Sequence, residues 1–278
     1  MGVFPEDYVI HISYLIRLWV AEGFLTPITP KSLEEVAKEY LEDLIDRNLI
    51  MARDRSYSGE IKTCSIHDLI RDLIVRKAQE EKFLHVMNQN VEISPEIMKN
   101  QRHLSIHGEI RFDVGDMYDS TVRSLLHLAD SLLSINICFQ LLRVLDARNI
   151  TFKMFPIEIV QLVNLRYIAL IYTGKRKIPA SISKLYNLQT LIFFRRLWYG
   201  KVRILYLPSE ILKMPQLRHL LFEQGFLPCP SDAENGNLQT LTGYRRNLLV
   251  PLAVDLAFPP NLKKSLGPAC LGPLCFLD

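Results

Sequence analysis

The sequence predicts two folds in series: a small α+β module over residues 1–84, then an α/β solenoid of stacked coils whose parallel sheet lines the concave face. Two observations predict this. Within the first 84 residues the apolar period changes from helical to strand-like and back. Beyond them, L-x-x-[LI] recurs with starts at Leu142, Leu165, Leu188, Leu217 and Leu238, spaced 23, 23, 29 and 21 residues apart.

The module is read element by element. In ISYLIRLWVAEGF, residues 12–24, Ile12, Leu15, Ile16, Trp19 and Val20 share one helical stripe. Gly23 is a stop, and Pro27 and Pro30 forbid continuation. Ser32 with Glu35 three residues on forms a capping box for a second helix. Its stripe is Leu33, Val36, Ala37, Tyr40, Leu41, Leu44 and Ile45, and Asn48 is placed at its end. Residues 49–66 read as two short strands around a Ser58-Gly59 turn. A third helix runs from His67 to about Glu81, with Leu69, Ile70, Leu73 and Ile74 expected inside. Helix, helix, hairpin, helix is the order of a winged helix. Helix 32–47 carries six acids and two bases, a net charge of −4 that repels phosphates. Protein packing is therefore favoured over DNA.

In the solenoid a proline keeps step with the leucines. Pro156 and Pro179 each lie 14 residues after their first Leu, and Pro208 lies 20 after Leu188. The excess of six matches the longer repeat and marks RRLWYGKVR as an insertion. This is the register of leucine-rich repeats, assigned to 121–265. Residues 85–120 read as a linker with a degenerate first repeat; Leu104 within it, and Leu125 just after it, suggest early turns. The residues three and five beyond each first Leu point inward. Outward candidates for partner binding are Arg143, Arg148, Arg166, Phe194, Arg218, Glu223 and Tyr244. A merely solvated sheet is the plain alternative. Residues 266–278 form an irregular, uncapped tail, expected of a truncated or mis-assembled gene product or of a piece of a longer chain.

Composition narrows the class. Apolar residues make up 49% and charged residues 23%, ordinary globular usage, and the net charge of +3 does not argue for nucleic acid or an anionic membrane. No apolar run is long enough to span a bilayer, and Glu6 and Asp7 are unlike a secretory leader. Five scattered cysteines suit a reducing, cytoplasmic compartment. Cys64 and His67 lack a second pair at metal-ligand spacing, so no metal is expected. No G-x-S-x-G or H-E-x-x-H occurs, and no catalytic residue is assigned.

The phrases FPEDYVIHISYLIRLWVAEGFL, EEVAKEYLEDLIDRNLI and CSIHDLIRDL, followed by the repeats, resemble plant intracellular immune receptors of the nucleotide-binding, leucine-rich-repeat family. The coiled-coil subclass of late-blight-resistance type is the nearest pattern. The resemblance covers residues 4 to about 265. It implies that a Met-His-Asp segment closes the winged helix and touches bound ADP, its His at the β-phosphate. The matching residues are Ile66, His67 and Asp68, with Ile in place of Met. Read from the residues alone, Asp68 is a helix cap and His67 lies where backbone N–H groups favour anions. The phosphate-binding G-x-x-x-x-G-K-[ST] is absent from the 278 residues, so no ADP or ATP site is expected in this chain on its own, and no enzyme. The resemblance implies protein partners: a pathogen effector or guarded host protein, and the receptor's own nucleotide-binding half. A standalone leucine-rich-repeat adaptor is the alternative.

Overall fold

A computed structural model describes residues 1–88, 100–108, 120–129, 139–174, 177–194, 205–227 and 237–244. The chain divides into two compact units, Met1–Asn149 and Ile150–Asp278.

In the first unit, β1 (Ile10–His11), β2 (Ile50–Ala52) and β3 (Thr63–Ile66) form an antiparallel sheet in the order β1-β3-β2. Ile10 pairs with Cys64, and Ile50 with Ile66. Helix α1 (Ile12–Glu22) buries seven of its eleven residues, so it lies at the centre of the module and not on its surface. It ends where Gly23 adopts φ 79°, a left-handed turn that a side chain would strain. Helix α2 (Leu33–Asp46) starts in the capping box anticipated above: the Glu35 N–H donates to Ser32 Oγ at 3.2 Å and the Ser32 N–H to Glu35 Oε2 at 2.7 Å. It buries only Val36, Ala37 and Leu41; Tyr40 is exposed. Asn48 sits just past its end in the left-handed region. The hairpin between β2 and β3 forms the wing.

Helix α3 (Asp68–Glu80) corrects the expected phase. Leu69 is 76% and Leu73 53% exposed, whereas Arg71 is buried. The reason is polar. Arg71 Nε donates to the Phe4 carbonyl at 2.7 Å, with Glu6 at 3.6 Å and Asp72 at 3.5 Å from its guanidinium. That contact turns the helix so that its leucines face out.

The same unit carries a parallel ladder of β4 (Leu84–Met87), β5 (His103–Ile106), β6 (Ser124–His127) and β7 (Val144–Phe152). Its register aligns His85, Leu104, Leu125 and Leu145 across the four strands. The degenerate turns suspected at Leu104 and Leu125 are thus true coils, and parallel pairing begins at Leu84. The three leucines are completely buried, as stacking neighbours require.

In the second unit, β8 (Tyr167–Tyr172), β9 (Thr190–Phe194), β11 (His219–Phe226) and β12 (Thr240–Tyr244) run parallel, with Ile168, Leu191, Leu220 and Leu241 in one row. A short β10 (Leu205–Tyr206) joins β11 at Gly225 and Phe226. Pro156, Pro179 and Pro208 each open a 3-10 turn, over Ile157–Gln161, Ala180–Lys184 and Ser209–Lys213. Each turn drops one isoleucine inward: Ile159, Ile182 and Ile211. Proline fits there because its fixed φ suits a helical start and no ladder hydrogen bond is needed. Asn187 Nδ2 donates to the Val163 carbonyl at 2.9 Å, and Asn237 Nδ2 to that of Pro215 at 2.7 Å. These side chains stitch one coil to the next. The insertion residues 195–203 and the tail 266–278 lie outside the described residues.

Candidate functional site

The tightest polar chemistry joins the winged-helix module to the first ladder, inside the first unit. On β5, β6 and β7, alternate residues face away from the leucine row: His103 and Ser105, Ser124 and Leu126, Val144 and Asp146. All six are buried, and His103, Ser105, Ser124 and Asp146 contact the N-terminal module. The Tyr14 hydroxyl on α1 donates to Asp146 Oδ2 at 2.7 Å. Arg148 donates through Nε to Asp146 Oδ1 at 2.9 Å and through Nη2 to Oδ2 at 2.8 Å. Its guanidinium also lies 3.7 Å over the Tyr14 ring. At the other end of α1, Glu22 Oε1 is 3.2 Å from His103 Nδ1 and accepts the Ser124 hydroxyl. His107 Nε2 lies 2.8 Å from the Val3 carbonyl, and burial holds its pKa below the usual histidine value. An acid buried without such partners is costly, so these contacts fix the position of α1.

The sequence-predicted residues fall into separate places. Ile66 is buried on β3, and His67 and Asp68 follow it onto the surface. The cap of α3 is His67, not Asp68: His67 Nδ1 accepts the Leu69 N–H at 3.3 Å, and Asp68 is the first helical residue. His67, Asp68, Leu69 and Leu73 are all exposed at the start of α3, Leu69 and Leu73 on one side of it, with the helix N-terminus beside His67. Arg148 is committed within the chain to Asp146 and Tyr14, and Arg143 Nη1 lies 3.5 Å from the Glu22 carbonyl at the end of α1. Arg143, Arg166 and Arg218 each precede their strand, which sets them on its rim. Arg166 and Arg218 are half-buried there, as is Phe194 at the end of β9. Glu223 lies within β11, and Tyr244 ends β12 opposite Gly225.

Sequence reasoning missed Tyr14, Glu22, His103 and Asp146. The signal was present in one case. Asp146 interrupts the apolar run LRVLDA at a position that period-two counting from Leu145 and Ala147 sends to the outer face. Among the described residues, no group of histidine, cysteine and carboxylate side chains could hold a metal, and no helix is long and apolar enough to cross a membrane.

Comparisons with known proteins agree with this architecture. Residues 3–74 match the family described as Disease resistance protein Winged helix domain, and residues 121–247 match Leucine-rich repeat region. The chain thus joins a winged helix of the disease-resistance type to a leucine-rich repeat region. One putative late blight resistance protein homolog of Solanum demissum is 37% identical over 288 residues, which are 95% of this chain and 36% of that protein. Late blight resistance protein R1-A of the same plant is 34% identical over 292 residues, 95% of this chain and 22% of the relative. The putative homolog R1B-23, also from that plant, is 37% identical over 290 residues, 95% and 22% of the two chains. The chain thus spans only about a fifth to a third of the length of these relatives. It carries the winged-helix and repeat portion of a plant disease-resistance protein.

Proposed function

We propose that this portion works as the sensor and lever of a cytoplasmic innate-immune receptor and catalyses no reaction. The repeats would recognise a pathogen effector or a guarded host protein through Arg166, Phe194, Arg218, Glu223 and Tyr244. The exposed start of α3, with His67, Asp68, Leu69 and Leu73, would meet a nucleotide-binding half, where His67 and Asp68 would help to hold ADP. One observation carries the reading: Asp146 and His103, on repeat strands, are gripped by Tyr14 and Glu22 of α1. A displacement of those strands is thereby passed to the winged helix by packed, hydrogen-bonded groups. Such a switch needs a differential contact in each of its states, and exposed leucines beside His67 supply one.

The test is co-expression with a separate nucleotide-binding half of a homologous receptor. The two pieces are expected to co-purify, and His67→Ala together with Leu69→Ser is expected to part them. If the pieces never associate, and the purified repeats still capture a signalling protein, the chain acts as a standalone leucine-rich-repeat adaptor. Calorimetry of the chain alone with ADP or ATP is expected to show no micromolar binding.

A further inference from the structure

The tip of the wing has no part in the contacts above, and it gathers an unusual set of groups. It reads Arg53-Asp54-Arg55-Ser56-Tyr57-Ser58-Gly59-Glu60. Tyr57 is fully exposed, and Arg53, Arg55, Ser58, Gly59 and Glu60 are all exposed as well. Arginines stand five and three residues before Ser58. We propose that Ser58 is a phosphorylation site for an arginine-directed serine/threonine kinase.

Kinases of this class bind the acceptor segment extended. Acidic pockets take arginines at those two positions through charge-assisted, bidentate bonds. The wing can meet that demand. Its tip is closed by local bonds: the Ser56 N–H donates to the Glu60 carbonyl at 2.7 Å and the Gly59 N–H to the Ser56 carbonyl at 2.9 Å. Arg55 reaches the Gly59 carbonyl at 3.0 Å, and the Ser56 and Ser58 hydroxyls lie 2.7 Å apart. Lys38 on α2 holds Glu60 at 2.8 Å, but both side chains are largely exposed, so the pair adds little. Arg53 Nε also donates to Ser65 Oγ at 2.7 Å and the Arg53 N–H to the Thr63 carbonyl at 2.9 Å, so the extended form must release Arg53 and Asp54 from the hairpin, while the β2–β3 pairs from Ile50 to Ala52 stay.

The neighbouring hydroxyls fit less well. Ser56 has an arginine at the third position only, is half-buried, and accepts the Glu60 N–H at 3.1 Å. Ser105 follows Arg102 by three but is fully buried and bonded to the Val3 carbonyl.

In the reaction, Ser58 Oγ bonds to the γ-phosphorus of a nucleoside triphosphate. The bond to the β-phosphate oxygen breaks, the nucleoside diphosphate leaves, and the hydroxyl proton passes to a base of the kinase. The product places nearly two negative charges beside Arg55 and two residues before Glu60. Arg55 then has a stronger acceptor than the Gly59 carbonyl.

The experiment incubates the folded 278-residue chain with ATP and a purified kinase that requires arginine at both positions, and maps phosphate by mass spectrometry. Phosphate is expected on Ser58. Ser58→Ala should abolish it and Ser56→Ala should keep it. Arg53→Ala and Arg55→Ala should each slow incorporation about tenfold, the loss of one charge-assisted bond. Phosphate on Ser56 instead, indifference to the arginines, or labelling of a 51–61 peptide without labelling of the folded chain would each overturn the assignment.

Discussion

The parallel strands of the two units share an inner row of leucines and differ on the other face. In the first unit that face holds His103, Ser105, Ser124 and Asp146, every one buried and hydrogen-bonded to the winged-helix module or to a group beside it. In the second unit the equivalent positions, Tyr167 and Ala169, Thr190 and Ile192, and His219, are just as buried but mostly apolar, and Arg166, Arg218 and Phe194 stand half-buried at the rim and strand ends. The inner row is dictated by stacking and looks alike in any coil. The outer face is where this protein is particular. In the first unit that face is spent on polar contacts with the winged-helix module.

The comparison breaks most sharply at Asp146. Asp146→Ala removes the acceptor of Tyr14 and leaves the guanidinium of Arg148 without its carboxylate. The expected loss is about 4 kcal/mol in denaturant unfolding, as for other half-deleted buried pairs. Arg166→Ala in the second unit is expected to change stability by no more than about 0.5 kcal/mol. Equal losses at the two sites would mean that the buried Asp146 cluster holds the fold no better than a rim cation does. The inner row supplies the control: Leu145→Ala and Leu191→Ala should each cost about 3 kcal/mol, since both leucines are fully buried in equivalent coils.

The inner row was legible in the sequence because it is periodic. Leu104 and Leu125 could be suspected, and the Pro156, Pro179 and Pro208 turns could be placed, from spacing alone. The capping box at Ser32 and Glu35 was equally plain, being local. What spacing could not reveal was long-range polar pairing. Tyr14 and Asp146 are 132 residues apart, and nothing in either neighbourhood names the other. The phase of α3 failed for the same cause: four apolar residues outvoted Arg71 by pattern, but the Phe4 carbonyl, 67 residues away, decides the side it faces. Among the candidate site residues, Arg148 reads by pattern as an outer-face cation for a partner, yet Asp146 beside it claims the guanidinium.

Acid sharpens the contrast on a smaller scale. Burial lowers the pKa of His85, and of His107, where the Val3 carbonyl opposes the shift and Arg71 adds to it. Both histidines lie in the first unit. A base whose folded pKa is depressed contributes stability that is full above the unfolded value of about 6.5 and is lost as pH falls through the folded one. Amide exchange in the first unit should therefore quicken as pH is lowered below about 6.5, after correction for intrinsic rates. His85→Gln and His107→Gln together should flatten that dependence. A pH response unchanged in the double variant would remove these two groups as its source.

The smallest effect is the most telling about α1 and α3. Leu15 and Leu18 on α1 are buried, whereas Leu69 and Leu73 on α3 are exposed. Leu69→Ser with Leu73→Ser should leave the midpoint of unfolding within about 0.5 kcal/mol of the parent, since little water-free surface is surrendered. Leu15→Ser should cost several times more, on the order of 3 kcal/mol, through a cavity and an unpaired hydroxyl. The same double variant should nonetheless weaken capture of a nucleotide-binding half, because those leucines are the apolar area that such a partner would cover. Loss of stability without loss of capture would show that α3 packs against its own chain, and that its outer leucines are not held out for another.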